Sequence, residues 1–572
     1  MKVKKIHFSI GTIILFIVIL TLGGSYLFWG TRISLYYDLY NTNDIIKGGK
    51  AYASMQNTRI DDYTLPAQYN INILKYDISI ELIPEEKRIN SAVLLTGMLK
   101  GEKTGDIVLN FHDGFEISGF TINGSEESYI YQNNFIRFDN YQGADTFLVE
   151  IKYSGTPENS GFGSFEFKTF EDMPMIYSMN EPIYASTWFP CNDITNDKAL
   201  LKIAVTADSN LVTASNGVLT DIIQSGSKKT YTWETNYPIS TYLICIATAD
   251  YTNFKDYYVG IDTLQLDYYV LPGKLEMAKR DFEVNKKALK CFEELFGPYP
   301  FYGEKYGIAE FLWNDGAMEH QTITGVSSFL ISGNGFFDDF YIHELAHHWW
   351  GNAVGPDSWK DIWLNEGFAT YSEALYYEYY NGEAALISTM ESFAGSFEDT
   401  RLYAPEGFLF SETIYDKGAW VLHMLRSEVG DSTFFKILKE YYQTFKYGNA
   451  STADFINLSE SVSGKSLNKF FKDWVYEGKG IINVDYIVND YQQGDDYITD
   501  IEMLQANSSE IVYNFPLEVR FVYYDGHSED YSYRINSPVQ KISFRSKNIV
   551  KEVRLDPRTR LLAQFRDVSS EE

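Results

Sequence analysis

Two histidines spaced four apart bracket an acidic residue in His343-Glu344-Leu345-Ala346-His347. In a helix, residues four apart lie about 40° from each other around the axis and about 6 Å apart along it. Both imidazoles therefore share one face, where they can hold a single metal ion. Glu344 stands beside the first of them, within reach of a water held at that ion. Glu366 follows nineteen residues after His347, in Trp363-Leu364-Asn365-Glu366-Gly367-Phe368. It can supply a third ligand from the next helix. Two His and one Glu leave one position of a tetrahedral zinc open, the arrangement that hydrolytic chemistry requires.

The chain that must position these groups has 572 residues, too many for one core, so two to four domains are expected. Its formal net charge is −30. Such a surface repels phosphates and argues against nucleic-acid binding. Three widely spaced cysteines, Cys191, Cys245 and Cys291, make neither a disulfide framework nor a cysteine-type zinc site.

At the N-terminus, Lys2, Lys4 and Lys5 precede an uncharged stretch from Phe8 to Gly30. That stretch is long enough to cross a bilayer as a helix, with the basic tip on the cytoplasmic side and all that follows Arg32 outside. A cleaved signal peptide is the alternative, because Gly23-Gly24-Ser25 offers small residues for cleavage. The apolar run continues through Tyr26, Leu27, Phe28 and Trp29, which favours an uncleaved anchor. Both readings place the rest of the protein outside the cytoplasm, the second as a secreted form.

Residues 31–60 show no period and read as a linker. Tyr76, Ile78, Ile80 and Leu82 then alternate with polar neighbours, the period of a half-buried strand. Asn123-Gly124 and Asn216-Gly217 read as hairpin turns. The period becomes helical over Leu275 to Phe296, and Gly297-Pro298 ends that run. Alternation returns at Leu517, Val519, Phe521 and Tyr523 before an Asp525-Gly526 turn. The expected organisation is multidomain α+β: an anchor over 1–30, a linker over 31–60, a β domain over 61–255, a mostly helical domain over 256–482 that carries the metal motif, and a C-terminal β-sandwich over 483–572.

Four separated motifs give this chain a likeness. They are Trp188-Phe189-Pro190-Cys191-Asn192-Asp193 with Lys198-Ala199 and Ser215-Asn216-Gly217; Gly316-Ala317-Met318-Glu319-His320; the metal motif with Trp363 to Phe368; and Tyr415-Asp416-Lys417-Gly418-Ala419. In this order they resemble the aminopeptidase N family of zinc aminopeptidases, of the gluzincin type, over about residues 65–485. The resemblance implies a thermolysin-like catalytic domain and one zinc per chain, held by His343, His347 and Glu366. It also implies removal of N-terminal residues from peptides by zinc-activated water. Glu344 would act as general base and then acid, and Tyr415 would donate to the oxyanion. Glu319 and Glu181 would bind the free α-amine by charge-assisted hydrogen bonds. Gly316 and Ala317 would run beside the substrate as an edge strand, with Met318 as a wall of the specificity pocket.

Two departures stand out. The family's second motif usually ends in Asn where this chain has His320, and Ser186 stands where Arg is usual. Large members also carry a helical C-terminal domain, so an end after a β-sandwich implies a more open cleft. Two rivals remain: an endopeptidase, which has no ammonium to bind, and a zinc-bearing adhesion ectodomain, which has no need of Glu344, Glu366 and Tyr415 together.

Overall fold

The computed structural model describes residues 64–569, except 102–103, 144–145, 314–315 and 508–510. The expected membrane anchor and linker lie outside the described residues. Among the described residues, no helix is long and apolar enough to cross a membrane.

Alternation builds the first sheet. Strand Ile71–Ile83 buries Ile71, Ile73, Tyr76, Ile78, Ile80 and Leu82. It pairs antiparallel with Arg88–Leu99 on one side and parallel with Leu200–Asp208 on the other, at the centre of eight strands. The Asn123-Gly124 turn is a hairpin between paired strands, and both residues have positive φ, 51° and 80°. Asn216-Gly217 is not. It joins Val212–Ser215 of a four-stranded sheet to Val218–Ser225 at the edge of the eight-stranded one. The cause is tertiary. The buried Asn216 amide donates to Leu243 O and Gln321 O and accepts from Cys245 N, and a Cβ on Gly217 would lie 2.2 Å from Glu234 O.

Strand Thr252–Val259 already belongs to a third sheet, of five strands, in the order 252–259, 263–270, 306–311, 324–327, 317–318. Helices follow. Residues 275–296 form two segments, Leu275–Asp281 and α1 (Glu283–Phe296). The chain breaks where the Asp281 carboxylate accepts from the backbone N–H groups of Gly333 and Gly335. Gly297, at φ 115°, ends α1 in a conformation that side chains resist. Helix α2 spans Asp338–Ala346 and starts with Asp338 and Asp339, which suit the positive end of its dipole. Helix α3 spans Trp363–Asn381, and α4 spans Gly418–Val429 after a single π-helical turn over Thr413–Lys417.

Beyond residue 482 two antiparallel-rich sheets face each other, with the rings of Phe521 and Phe544 stacked at 3.8 Å between them. Leu517, Val519, Phe521 and Tyr523 are the buried positions of their strand.

Candidate active site

Helix α2 delivers His343 and Glu344. His347 caps it in helical conformation and donates its N–H to His343 O at 3.2 Å. The two Nε2 atoms stand 3.0 Å apart, and Glu366 Oε2 of α3 lies 3.4 Å from one and 3.3 Å from the other. Each ring is oriented from behind. His343 Nδ1 meets Glu373 Oε1 at 2.8 Å, and His347 Nδ1 meets Trp350 O at 3.0 Å. A carboxylate and a carbonyl only accept, so both Nδ1 atoms carry hydrogen, and each Nε2 is the atom left to offer a lone pair to a metal. Three potential ligand atoms thus converge on one point, where a metal cation would hold them together. A tetrahedral zinc with bonds of about 2.0–2.1 Å separates its ligands by about 3.3 Å. The site therefore fits zinc, the cofactor of this chain.

Glu373 was not singled out by spacing from the motifs. It lies seven residues beyond Glu366, two helical turns along the same face of α3. Such outer carboxylates fix the tautomer and raise the basicity of a ligating imidazole.

A second group of carboxylates adjoins the first. Glu181, Glu319 and Glu366 each bring an oxygen within 4.8 Å of the others. Glu181 sits in a loop held by Asn180, whose amide donates to Thr241 O and Ile244 O. Glu319 follows the short strand Ala317–Met318, and its carbonyl accepts from Asn352 Nδ2 at 2.7 Å. Glu181 Oε1, Glu319 Oε1 and Glu344 Oε2 are all buried without a hydrogen-bond partner.

Electrostatics record the crowding. Burial, reinforced by Glu319, Glu366 and Glu344, raises the Glu181 carboxyl well above its usual range. Burial and Glu319 push Glu344 up to about 8. Burial would also raise Glu366, but His347 and His343 bring it down to about 2. Burial would lower His343, but Glu366 and Glu373 raise it well above the ordinary histidine value.

Strand Ala317–Met318 is the edge of the five-stranded sheet, with Ala317 opposite Val326 and Met318 opposite Gly325. Gly316, at φ 137°, accepts from Ser327 N and needs its glycine. Met318 is buried, while Ala317 is half-buried. His320 joins neither cluster. It is fully buried, its ring lies 5.9 Å from that of Phe311, and burial lowers it to about 3, so it is neutral.

Tyr415 stands on the π-helical turn, half-buried, its ring nearly parallel to His343 at 5.9 Å. Burial and Glu366 hold its phenol well above its usual value, so it stays a donor. Two glycines that spacing alone did not mark bring Tyr415 and Glu366 together. A Cβ on Gly367 would lie 2.8 Å from Gly418 Cα, and the reverse contact is the same. Helix α3 thus crosses the start of α4 backbone against backbone. Gly418→Ala is expected to destabilise the protein by about 1–3 kcal/mol through overpacking and to lower kcat as the helices separate. Thermal unfolding beside peptidase assays checks this, and an unchanged Tm would mean that the crossing has slack.

Residues 72–243 match the peptidase M1 N-terminal domain, and residues 280–474 match the peptidase family M1 domain. Probable aminopeptidase 2 of Sulfurisphaera tokodaii is 30% identical over 353 residues, which are 57% of this chain and 44% of that protein. The chain spans less than half the length of the curated relatives it matches. The M1 zinc metallopeptidase of Deinococcus radiodurans superposes with a TM-score of 0.62 at 26% identity, covering 72% of this chain and 94% of that one. Legionella pneumophila aminopeptidase A, solved with aspartic acid, gives 0.76 at 18% identity over 89% of this chain and 61% of its own, a likeness of fold. Both halves of the architecture and the metal-binding motif thus lead to one place: the chain belongs to the M1, or aminopeptidase N, family of zinc peptidases.

Proposed function

We propose that the protein is an aminopeptidase that hydrolyses the first peptide bond of peptides with a free N-terminus. The observation that carries this reading is the pair of orphaned buried oxygens, Glu181 Oε1 and Glu319 Oε1, beside the imidazole–carboxylate triad. Buried carboxylates without partners need a cation or donor. An α-ammonium is both. Its nitrogen lies two bonds, about 2.5 Å, from the first carbonyl carbon, so a substrate held there presents only its terminal bond to the triad.

His343, His347 and Glu366 would hold the zinc, which when bound polarises the scissile carbonyl and acidifies a water. Glu319 and Glu181 bind the ammonium and set the register. Gly316 and Ala317 lie along the sheet edge, where an extended peptide would run beside them, and Met318 backs that strand. Glu344 removes the proton of the attacking water and hands it to the departing amine. Tyr415 donates its phenol hydrogen to the carbonyl oxygen as negative charge builds there.

One peptide offered free and N-acetylated, with products followed by mass spectrometry, tests this. Stepwise loss of N-terminal residues from the free form alone is expected. Internal cleavage of both forms would make the protein an endopeptidase, and cleavage of neither with zinc bound would favour a non-catalytic ectodomain. Glu319→Gln should raise KM for the free peptide about 10- to 100-fold, the worth of a hydrogen bond to a charged group.

The basic tip and the uncharged stretch Phe8 to Gly30 support a membrane-anchored enzyme facing the extracytoplasmic side, with secretion after cleavage as the alternative. The full chain should stay with membranes through an alkaline wash. Recovery in the wash would count against an anchor.

A further inference from the structure

The turn that follows α2, residues 347–353, meets three parts of the molecule at one residue. Asn352 is fully buried. Its backbone N–H donates to His347 O at 3.0 Å, so it closes directly on a residue of the metal triad. Its side-chain Nδ2 donates to Glu319 O at 2.7 Å. A carbonyl only accepts, so the amide presents its NH2 group there. Its own carbonyl accepts from Lys198 Nζ at 2.7 Å, and that of Ala353 accepts from the same nitrogen at 3.2 Å. The turn also supplies Trp350 O, which orients the His347 ring.

Lys198 comes from the M1 N-terminal domain and is fixed on both sides. Asp197 Oδ1 accepts from Ile73 N at 3.0 Å, and Ala199 exchanges two backbone hydrogen bonds with Ile239. The lysine stem reaches the turn past Gly355, where a Cβ would lie 2.9 Å from Lys198 Cε. Its nitrogen then spends its hydrogens on carbonyls of the turn.

The ammonium nitrogen and the first carbonyl carbon of a peptide are about 2.5 Å apart. Glu319 and the metal triad can therefore serve one substrate only at a fixed separation. Glu319 follows a strand of two residues, Ala317–Met318, which is too short to fix it alone. Asn352 joins the two groups through a single residue, by its backbone to His347 and by its side chain to Glu319. We propose that Asn352 is a positioning residue that sets the separation between the metal triad and the ammonium-binding carboxylate, and that Lys198 holds it in place from the N-terminal domain. This rests on the amine-binding reading of Glu319 and adds what fixes its register.

The test is a double-mutant cycle of Asn352→Ala with Glu319→Gln, read as KM for a free peptide and as zinc content. Asn352→Ala should raise KM about tenfold, the worth of a hydrogen bond that orients another group. With Glu319→Gln already present it should raise KM less than about twofold, because the carboxylate it positions no longer carries charge. One zinc per chain in all four proteins reports that each is folded. Lys198→Met should repeat the KM rise and lose it in the same way. Should Asn352→Ala fail to fold, the cycle of Lys198→Met with Glu319→Gln decides in its place. Losses that multiply in the double variant overturn the proposal, since a general disturbance of the fold adds to any other. So does zinc loss from Asn352→Ala, which would make the residue a prop of the metal helix alone. If Glu319→Gln raises KM and Asn352→Ala does not, only the positioning role falls. If Glu319→Gln leaves KM unchanged, the amine reading falls and the positioning role with it.

Discussion

Glu344→Gln is expected to lower kcat by about 10²- to 10⁴-fold, the usual worth of a positioned general base, while the chain retains one zinc. The first reason is place. Glu344 follows His343 on α2, is 6% exposed, and leaves Oε2 without a partner beside the metal triad. The second is charge. Burial and Glu319 raise its carboxyl to about 8, so it takes a proton more readily than an exposed glutamate does. A cation held among His343, His347 and Glu366 would lower that value, favouring the ionised form that a base needs. Gln keeps the size and the hydrogen-bonding reach but accepts no proton. The loss corresponds to about 3–5.5 kcal/mol in the barrier. Steady-state kinetics with metal analysis on the same sample check it. A fall of less than about tenfold with zinc in place would mean that another group takes the proton. A fall accompanied by zinc loss would make Glu344 a structural partner of the triad.

The legible and illegible parts of this site divide by distance along the chain. His343, Glu344 and His347 are local: a 3.6-residue period places them on one face before any tertiary contact forms. The half-buried strand at Tyr76 to Leu82 is legible for the same reason, as a period of two. The proximity of Glu181 to Glu319 is not local. It depends on Asn180 tying its loop to the carbonyls of Thr241 and Ile244, and on Asn352 holding the Glu319 carbonyl. No spacing rule encodes such contacts; only the family likeness pointed to these two residues. The Asn216-Gly217 turn shows the opposite failure. Its local signal is that of a hairpin, but the buried Asn216 amide spends its hydrogen bonds on Leu243, Gln321 and Cys245, and the chain changes sheets there. The Gly367–Gly418 contact is not legible in the sequence because each glycine lies within a separate motif and neither alone reveals the other.

That contact leads to the second large effect. Tyr415→Phe is expected to lower kcat by about 10²- to 10³-fold, the cost of one lost oxyanion donor, with KM nearly unchanged. The phenol is raised well above its usual value by burial and by Glu366, so at neutral pH it donates and never carries charge. Its ring is set by more than its hydroxyl. The π-helical turn Thr413–Lys417, the glycine crossing behind it, and Lys417 Nζ donating to Gly478 O at 2.8 Å all fix where the oxygen stands. Phe preserves that packing, so fold and zinc content should be those of the natural chain, and the missing hydrogen bond is the only change. A donor that meets charge only as it develops affects kcat and kcat/KM alike. A rise in KM at constant kcat would instead make Tyr415 a binder of the ground state, and no change in either would reduce it to packing against His343. Paired with Glu344→Gln, the losses should combine to less than their product. Without the base the water attacks late or not at all, and little charge reaches the oxygen that Tyr415 is placed to meet.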